Sequence, residues 1–223
     1  MSRSMNERLA TSLGLLLMFC TPALAATASV AGCGDLANGY GPYDYTNGAH
    51  FRQKLPIVEQ AHFTMPVQTL QRGATATMPG GDIDYTLRAF PNHHRALYAM
   101  SAYALRYRGQ FVPPGARYSA ECYFDRAMRF KPDDGVVRML YGIHQYKLGK
   151  LDKALMQYDA ALQIMPDSAE LHNNLGLLYV ARGDYVKANE HANKAYSLGF
   201  PLPGLRNRLI ELDAWEMLPD DSP

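Results

Sequence analysis

Apolar and small residues in the stretch 135–200 recur at helical spacing, and the pattern is written twice. In residues 135–168 (GVVRMLYGIHQYKLGKLDKALMQYDAALQIMPDS), Met139, Tyr141, Gly142, Ile143 and Tyr146 form one stripe. Leu151, Ala154, Leu155, Tyr158, Ala161 and Leu162 form a second, and Leu148-Gly149-Lys150 separates the two. Two amphipathic runs joined by a glycine turn predict a helical hairpin. Gly142 and Ala154 let the two helices approach closely, and Pro166 ends the second helix. Moved by 34 residues the pattern returns, with Gly142 on Gly176, Gly149 on Gly183, Ala154 on Ala188 and Ala161 on Ala195. Self-similarity at a fixed period of this length marks a structural repeat, here 135–168 and 169–202.

Reading outwards, residues 94–134 carry a divergent third unit. Its first helix has Leu97, Met100, Ser101 and Ala104 on one face, and its second has Ala120, Phe124 and Ala127 ahead of Pro132. At 41 residues it is seven longer than the others, and Gln110-Phe111-Val112-Pro113-Pro114-Gly115 is the site of the insertion. The repeat region as a whole is expected to occupy residues 82–202. Beyond it, 203–217 reads as a helix with Leu205, Leu209, Leu212 and Trp215 facing the protein, which would cover the open apolar face of the last unit. Residues 218–223 form a tail.

Residues 26–81 have neither period and are rich in Tyr, Gly, Pro and Asn, which predicts an irregular but ordered arm. Short helices are expected within it at Leu55-Pro56-Ile57-Val58 and from Pro66 to Leu70, the second followed by Gly73. Gly80-Gly81 reads as a break. Residues 83–90 (IDYTLRAF), followed by Pro91-Asn92, read as the closing turns of a helix, with an extended strand as the alternative.

At the N-terminus, Arg3 and Arg8 precede an apolar run, LGLLLMFC, and then Pro22 and Ala23-Leu24-Ala25, the arrangement of a secretory signal peptide over residues 1–25. The run is too short to span a bilayer. Val30-Ala31-Gly32-Cys33 resembles the lipobox of bacterial lipoproteins, which gives a lipid anchor at Cys33 as a second reading. After cleavage at Ala25 only Cys33 and Cys122 remain, two thiols that an exported protein can join as a disulfide or leave free. With 22 basic and 21 acidic residues, no overall field favours nucleic acid or an anionic membrane.

The repeat residues resemble the tetratricopeptide repeat family. The last unit carries the match on Leu175-Gly176, Tyr179, Gly183-Asp184-Tyr185, Ala188 and Ala195, departing from it at Ala192, where the family has a large aromatic, and at Pro201, where the terminal proline is displaced. The resemblance implies an all-α fold, a short α-solenoid of helical hairpins, with the arm at one end and the capping helix at the other. It also implies a concave face lined by the first helix of each unit. That places Arg95, Tyr98, Ala102 and Arg106, then Met139, Ile143 and Tyr146, then Glu170, Asn173, Asn174 and Leu177 in a partner-binding groove. A subgroup of the family clamps C-terminal carboxylates there. At its positions this chain has Tyr98, Ala102, Leu140 and Glu170, and only Asn174 fits.

No nucleophile elbow, phosphate loop, dinucleotide fingerprint or haem motif is present, so no cofactor or metal is expected. The expectation is a non-catalytic, exported scaffold that binds a protein or peptide in the bacterial envelope. The alternative is a small-ligand, metal or enzyme pocket built from Tyr43, Asp44, Tyr45, Asp82, His93 and His94, where Tyr, Asp and His are dense and the repeat is weakest. The histidine spacing matches no zinc motif.

Overall fold

The computed structural model describes residues 32–217, so the expected signal peptide at 1–25 and the expected tail at 218–223 lie outside the described residues. Eleven α-helices and no strand are found among them. The arm holds α1 (Gly48–Gln53), α2 (Leu55–His62) and α3 (Met65–Gln68). There follow α4 (Pro79–Ala89), α5 (His94–Arg106), α6 (Ala120–Phe130), α7 (Gly135–Lys147), α8 (Leu151–Leu162), α9 (Ala169–Arg182), α10 (Tyr185–Ser197) and α11 (Gly204–Glu211).

A short punctuation sets the period. Pro91, Pro132 and Pro166 each follow a helix that they cannot continue, and two residues later a side chain caps the next one. His93 Nδ1 accepts from the Ala96 N–H, Asp134 from Val137 and Ser168 from Leu171. Between α7 and α8, and between α9 and α10, the turn runs through Gly149 and Gly183 at φ of 75° and 74°, a left-handed conformation that favours glycine. A second glycine in each first helix lets a neighbour close in, Tyr158 of α8 on Gly142 and Leu205 of α11 on Gly176. A Cβ on Gly142 would lie 2.3 Å from the Tyr158 ring, and one on Gly176 2.3 Å from Leu205 Cδ2.

Each first helix packs on its own second helix and on the first helix of the next unit, so α5, α7 and α9 stack side by side. The core runs along the stack as successive clusters. Phe63, Val67, Ile83, Leu97, Met100, Tyr103 and Phe124 lie at the N-terminal end, Ala154, Tyr158, Leu171, Leu175 and Leu178 in the middle, and Ala188, Ala192, Leu205 and Leu209 at the far end.

Residues 83–89 are helical and Phe90 is the C-cap, which removes the strand alternative, and the helix starts earlier than its periodicity indicates. Gly80 and Gly81 lie inside the first turn of α4, with Pro79 at its head. They are glycines because other backbone passes there: a Cβ on Gly80 would meet the Pro114 carbonyl at 2.2 Å, and one on Gly81 the Ala76 Cβ at 2.7 Å. α4 precedes α5 as α6 precedes α7, with α2 and α3 packed against it. The helical layer therefore continues one step into the arm. At the other end α11 stops at Glu211, short of the expected 217. Asp213 turns the chain at φ 52°, and the Glu216 backbone is then held by Asn189, which donates to its carbonyl and accepts from its N–H.

Cys33 and Cys122 form a disulfide. A sulfur so engaged cannot also carry a thioether lipid, which sets this pairing against the lipobox reading of Cys33.

Candidate functional site

The stack leaves a cleft where the arm meets α5 and α7. Because His94 of α5 corresponds to Gly135 of α7, Arg95, Tyr98 and Ala99 face Val136 and Leu140 across the seam between the two helices. Phe63 and Gln68 supply a wall from the arm, His94 closes the end, and the enclosed volume is about 310 Å³. Tyr98 is 49% exposed, unusual for an aromatic in a helix stack, and Lys147 stands 5.1 Å from its ring centroid. Arg95 lies over the Phe63 ring, donates to Gln68 Oε1 and reaches Glu59 at 3.5 Å. The floor is apolar and the rim polar and cationic, the composition that takes an apolar side chain and orients what flanks it.

The residues expected in the groove divide. Arg95 and Tyr98 line the cleft, while Arg106, at the end of α5, donates to the Leu70 carbonyl at 3.0 Å. Met139, Ile143 and Tyr146 pack against the core formed by α8 and α9, and Leu177 against the one that α11 completes. Asn173 and Asn174 are half-buried on α9, with Asn174 at the place Leu140 holds on α7. Phe63, Gln68, Val136 and Leu140 are the lining residues the sequence reading leaves out of the groove. The one-position offset between facing helices would have found Val136 and Leu140. Nothing in the arm's sequence marks Phe63 and Gln68.

Of the six residues of the alternative pocket the structure gathers five, in a packed junction. Tyr45 stacks on His93 with centroids 4.4 Å apart and sets its edge to His94, and Tyr43 meets Phe90. Asn92, fully buried, donates to both Asp44 (2.8 Å) and Asp134 (3.1 Å) and accepts from the Tyr45 N–H. His94 Nε2 meets Asp134 at 2.9 Å and His93 Nε2 meets Glu59 at 3.0 Å. Burial holds the His93 pKa below its ordinary value against the pull of Glu59, which favours the neutral ring. Burial alone would raise Asp134, but His94, Asn92 and the Val137 N–H outweigh it and lower it. These polar groups are turned on one another, and they clamp the arm to the first unit.

Asp82, the sixth, lies elsewhere. Its carboxylate accepts from the N–H groups of Ala74 (2.8 Å), Thr75 (3.2 Å) and Ala76 (3.0 Å), from the Thr75 hydroxyl, and pairs with His62 at 2.9 Å. It holds the α3–α4 loop closed. Among the described residues no group of three or more His, Cys, Asp or Glu could hold a metal ion.

One buried chain of polar groups went unremarked in the sequence. Ser101 on α5 meets His144 Nδ1 at 2.8 Å, and the far nitrogen of His144 faces Glu121 at 3.7 Å, with Lys150 just beyond. Ser101 and His144 are both enclosed by the helices, and the row opens to the surface at Glu121 and Lys150.

Residues 145–188 match the family model described as TPR repeat. Among curated proteins, the chain is similar to the Protein CTR9 homolog of Arabidopsis thaliana, 31% identical over 113 residues, which is 48% of this chain and 10% of that protein. It is also similar to the human Protein O-mannosyl-transferase TMTC1, 32% identical over 96 residues, 41% of this chain and 11% of that protein. The chain thus spans about a tenth of the length of these relatives.

Proposed function

We propose, from the premise that this chain carries tetratricopeptide repeats, that it is an exported, non-catalytic interaction protein of the bacterial envelope. A peptide segment of its partner lies in the cleft between the arm, α5 and α7. The observation that carries this is the cleft itself: an apolar floor with a half-exposed Tyr98 and a polar rim, at the one seam where the arm adds a wall. Binding of a partner is what repeats of this family do. The transferase activity in the human relative's name belongs to a protein of which the match covers 11%, and it does not carry over.

Export is supported by the leader-like residues 1–25 and by the Cys33–Cys122 disulfide, which suits an oxidising compartment. Among the described residues no helix is long and apolar enough to cross a membrane.

Placing a photo-crosslinking residue at Tyr98, and separately at Met156, which is exposed on α8, tests the cleft in living cells. A discrete crosslinked partner is expected from position 98, lost with Leu140→Asp, and none from position 156. Equal capture from both positions, or capture indifferent to Leu140→Asp, would refute the assignment.

A further inference from the structure

The net charge of +1 hides a segregation. Residues 60–120 contain six arginines, no lysine and two carboxylates, Asp82 and Asp84, both buried. Topology collects part of that charge on one edge. The C-terminal ends of α5, α7 and α9 and the turns that follow them lie side by side, with the α3–α4 connection at the head of the row. That edge presents Arg72, Arg106, Arg108, Lys147, Lys150 and Arg182, all exposed. Hydrogen bonds tie its successive turns together, from Arg106 to the Leu70 carbonyl at 3.0 Å and from Arg108 to the Lys147 carbonyl at 3.1 Å.

Carboxylates answer the charge at the far end only, where Asp152 meets Arg182 at 2.8 Å and Glu121 meets Lys150 at 3.9 Å. At the near end Arg106 and Arg108 meet main-chain carbonyls. A cation at a helix C-terminus complements the helix dipole, which accounts for Arg106, Lys147 and Arg182. It does not account for Arg72 and Arg108, which lie in loops, nor for the exposed aromatic three residues beyond Arg108. Phe111, at the tip of the α5–α6 insertion, is 84% exposed, with Val112 and Pro113 beside it and Met78, 37% exposed, under the same loop.

We infer that this edge docks the protein on an anionic phospholipid surface. Phe111 enters the headgroup layer, and Arg72, Arg106 and Arg108 meet the phosphates. A phenylalanine on the apolar face of an interfacial segment is buried at the headgroup boundary, and each nearby cation adds about a fivefold gain in affinity for an anionic leaflet. Single-stranded nucleic acid is less well served, because it is bound by several rings laid along a basic groove, whereas here one ring projects from an edge. The cleft is lined by the first two turns of α5 and α7, whereas the edge is made by their last turns and the loops beyond, with the Lys147 side chain reaching back to the Tyr98 ring. A membrane-docked molecule therefore keeps it open, and this inference stands apart from the reading of the cleft.

The test uses the protein as the cell processes it, with vesicles of phosphatidylcholine with and without phosphatidylglycerol. Phe111→Trp should shift its emission to the blue on the anionic vesicles alone, and sedimentation with them should fall as salt rises. Arg72→Glu should weaken binding more than tenfold and Phe111→Ser severalfold, both with an unchanged thermal melt, since both side chains are exposed. Equal binding to both vesicle types, no binding to either, or charge reversal without effect would overturn the inference. So would tighter binding of a single-stranded RNA oligonucleotide at the same salt, which would reassign the edge to nucleic acid.

Discussion

Three consecutive N–H groups converge on the Asp82 carboxylate, which no water reaches. Burial would raise its pKa, but the bonds from Thr75, His62, Ala76 and Ala74 outweigh burial and lower it. A carboxyl whose pKa is lower folded than unfolded contributes stability that is complete above its unfolded value and is lost as pH falls through the folded one. Asp82→Ala leaves those donors without an acceptor, so it should cost about 3 kcal/mol at neutral pH, measured by urea unfolding, and the variant should lose less than the native chain on acidification. Glu121 follows the same sign. His144 opposite, against the cost of burial, brings it down to about 2, so Glu121→Gln should flatten the fall in stability between pH 4.5 and pH 2. An acid limb identical to the native one would refute the coupling to His144. At this scale the sequence reveals residue types and hides their partners. Asp82, His93 and His94 stand out as candidates for chemistry, yet what they meet is loop N–H groups, a glutamate 34 residues away and a carboxylate 40 residues away. No local spacing encodes such pairings.

Helices were more legible than residues, because a helix repeats its signal every turn. The hairpins α7–α8 and α9–α10 follow the 34-residue echo, and Pro91, Pro132 and Pro166 punctuate the chain. What escaped was set by tertiary contact. Gly80 and Gly81 have the local look of a break but are helical, and they are glycines because Pro114 and Ala76 leave no room for a Cβ. Met139, Ile143 and Tyr146 lie on a first helix, as groove residues should, but their apolar surface faces α8 and α9. The closing helix α11 offers a prediction at this scale. Leu205 and Leu209 are fully buried against α9 and α10, and Leu205 lies over Gly176. Removing a buried leucine side chain costs about 2–5 kcal/mol, so Leu205→Ala/Leu209→Ala should detach α11. Repeats contact only their neighbours, so amide exchange should quicken in α9 and α10 and stay native in α4 and α5. A uniform loss of protection would show one cooperative unit instead.

For the whole molecule the question is what holds the arm, which lies outside the 34-residue pattern. Three attachments lie in parallel on the α4–α6 end: the junction around Asn92, the Asp82 loop, and the stretch that begins at Cys33. The last combines a covalent bond with a buried charge. Arg126 is 1% exposed and donates to the carbonyls of Cys33 and Asp35, its guanidinium 5.2 Å from the Tyr118 ring centroid, and Arg129 donates to the Gly34 carbonyl at 2.9 Å. The disulfide links residues 89 apart, and closing a loop of that length removes about 4–5 kcal/mol worth of disorder from the unfolded chain. Both sulfurs are enclosed, with Cys33 2% and Cys122 7% exposed, so a reductant must wait for the segment to open. Cys33→Ser/Cys122→Ser should therefore lower the melting temperature, and the native chain should respond to reductant slowly. Once residues 33–38 lift away, Arg126 loses its two carbonyls, and the damage should propagate into α6 and then α4 through Asp84, which accepts from the Tyr123 hydroxyl at 2.6 Å. Exchange rates measured along the chain decide it: faster exchange confined to 33–45 and α4–α6 is the expected outcome. An unaltered melt in the double variant would mean that the Asn92 junction and the Asp82 loop hold the arm without the disulfide, and loosening that reaches α9–α11 equally would mean that the molecule opens as one unit.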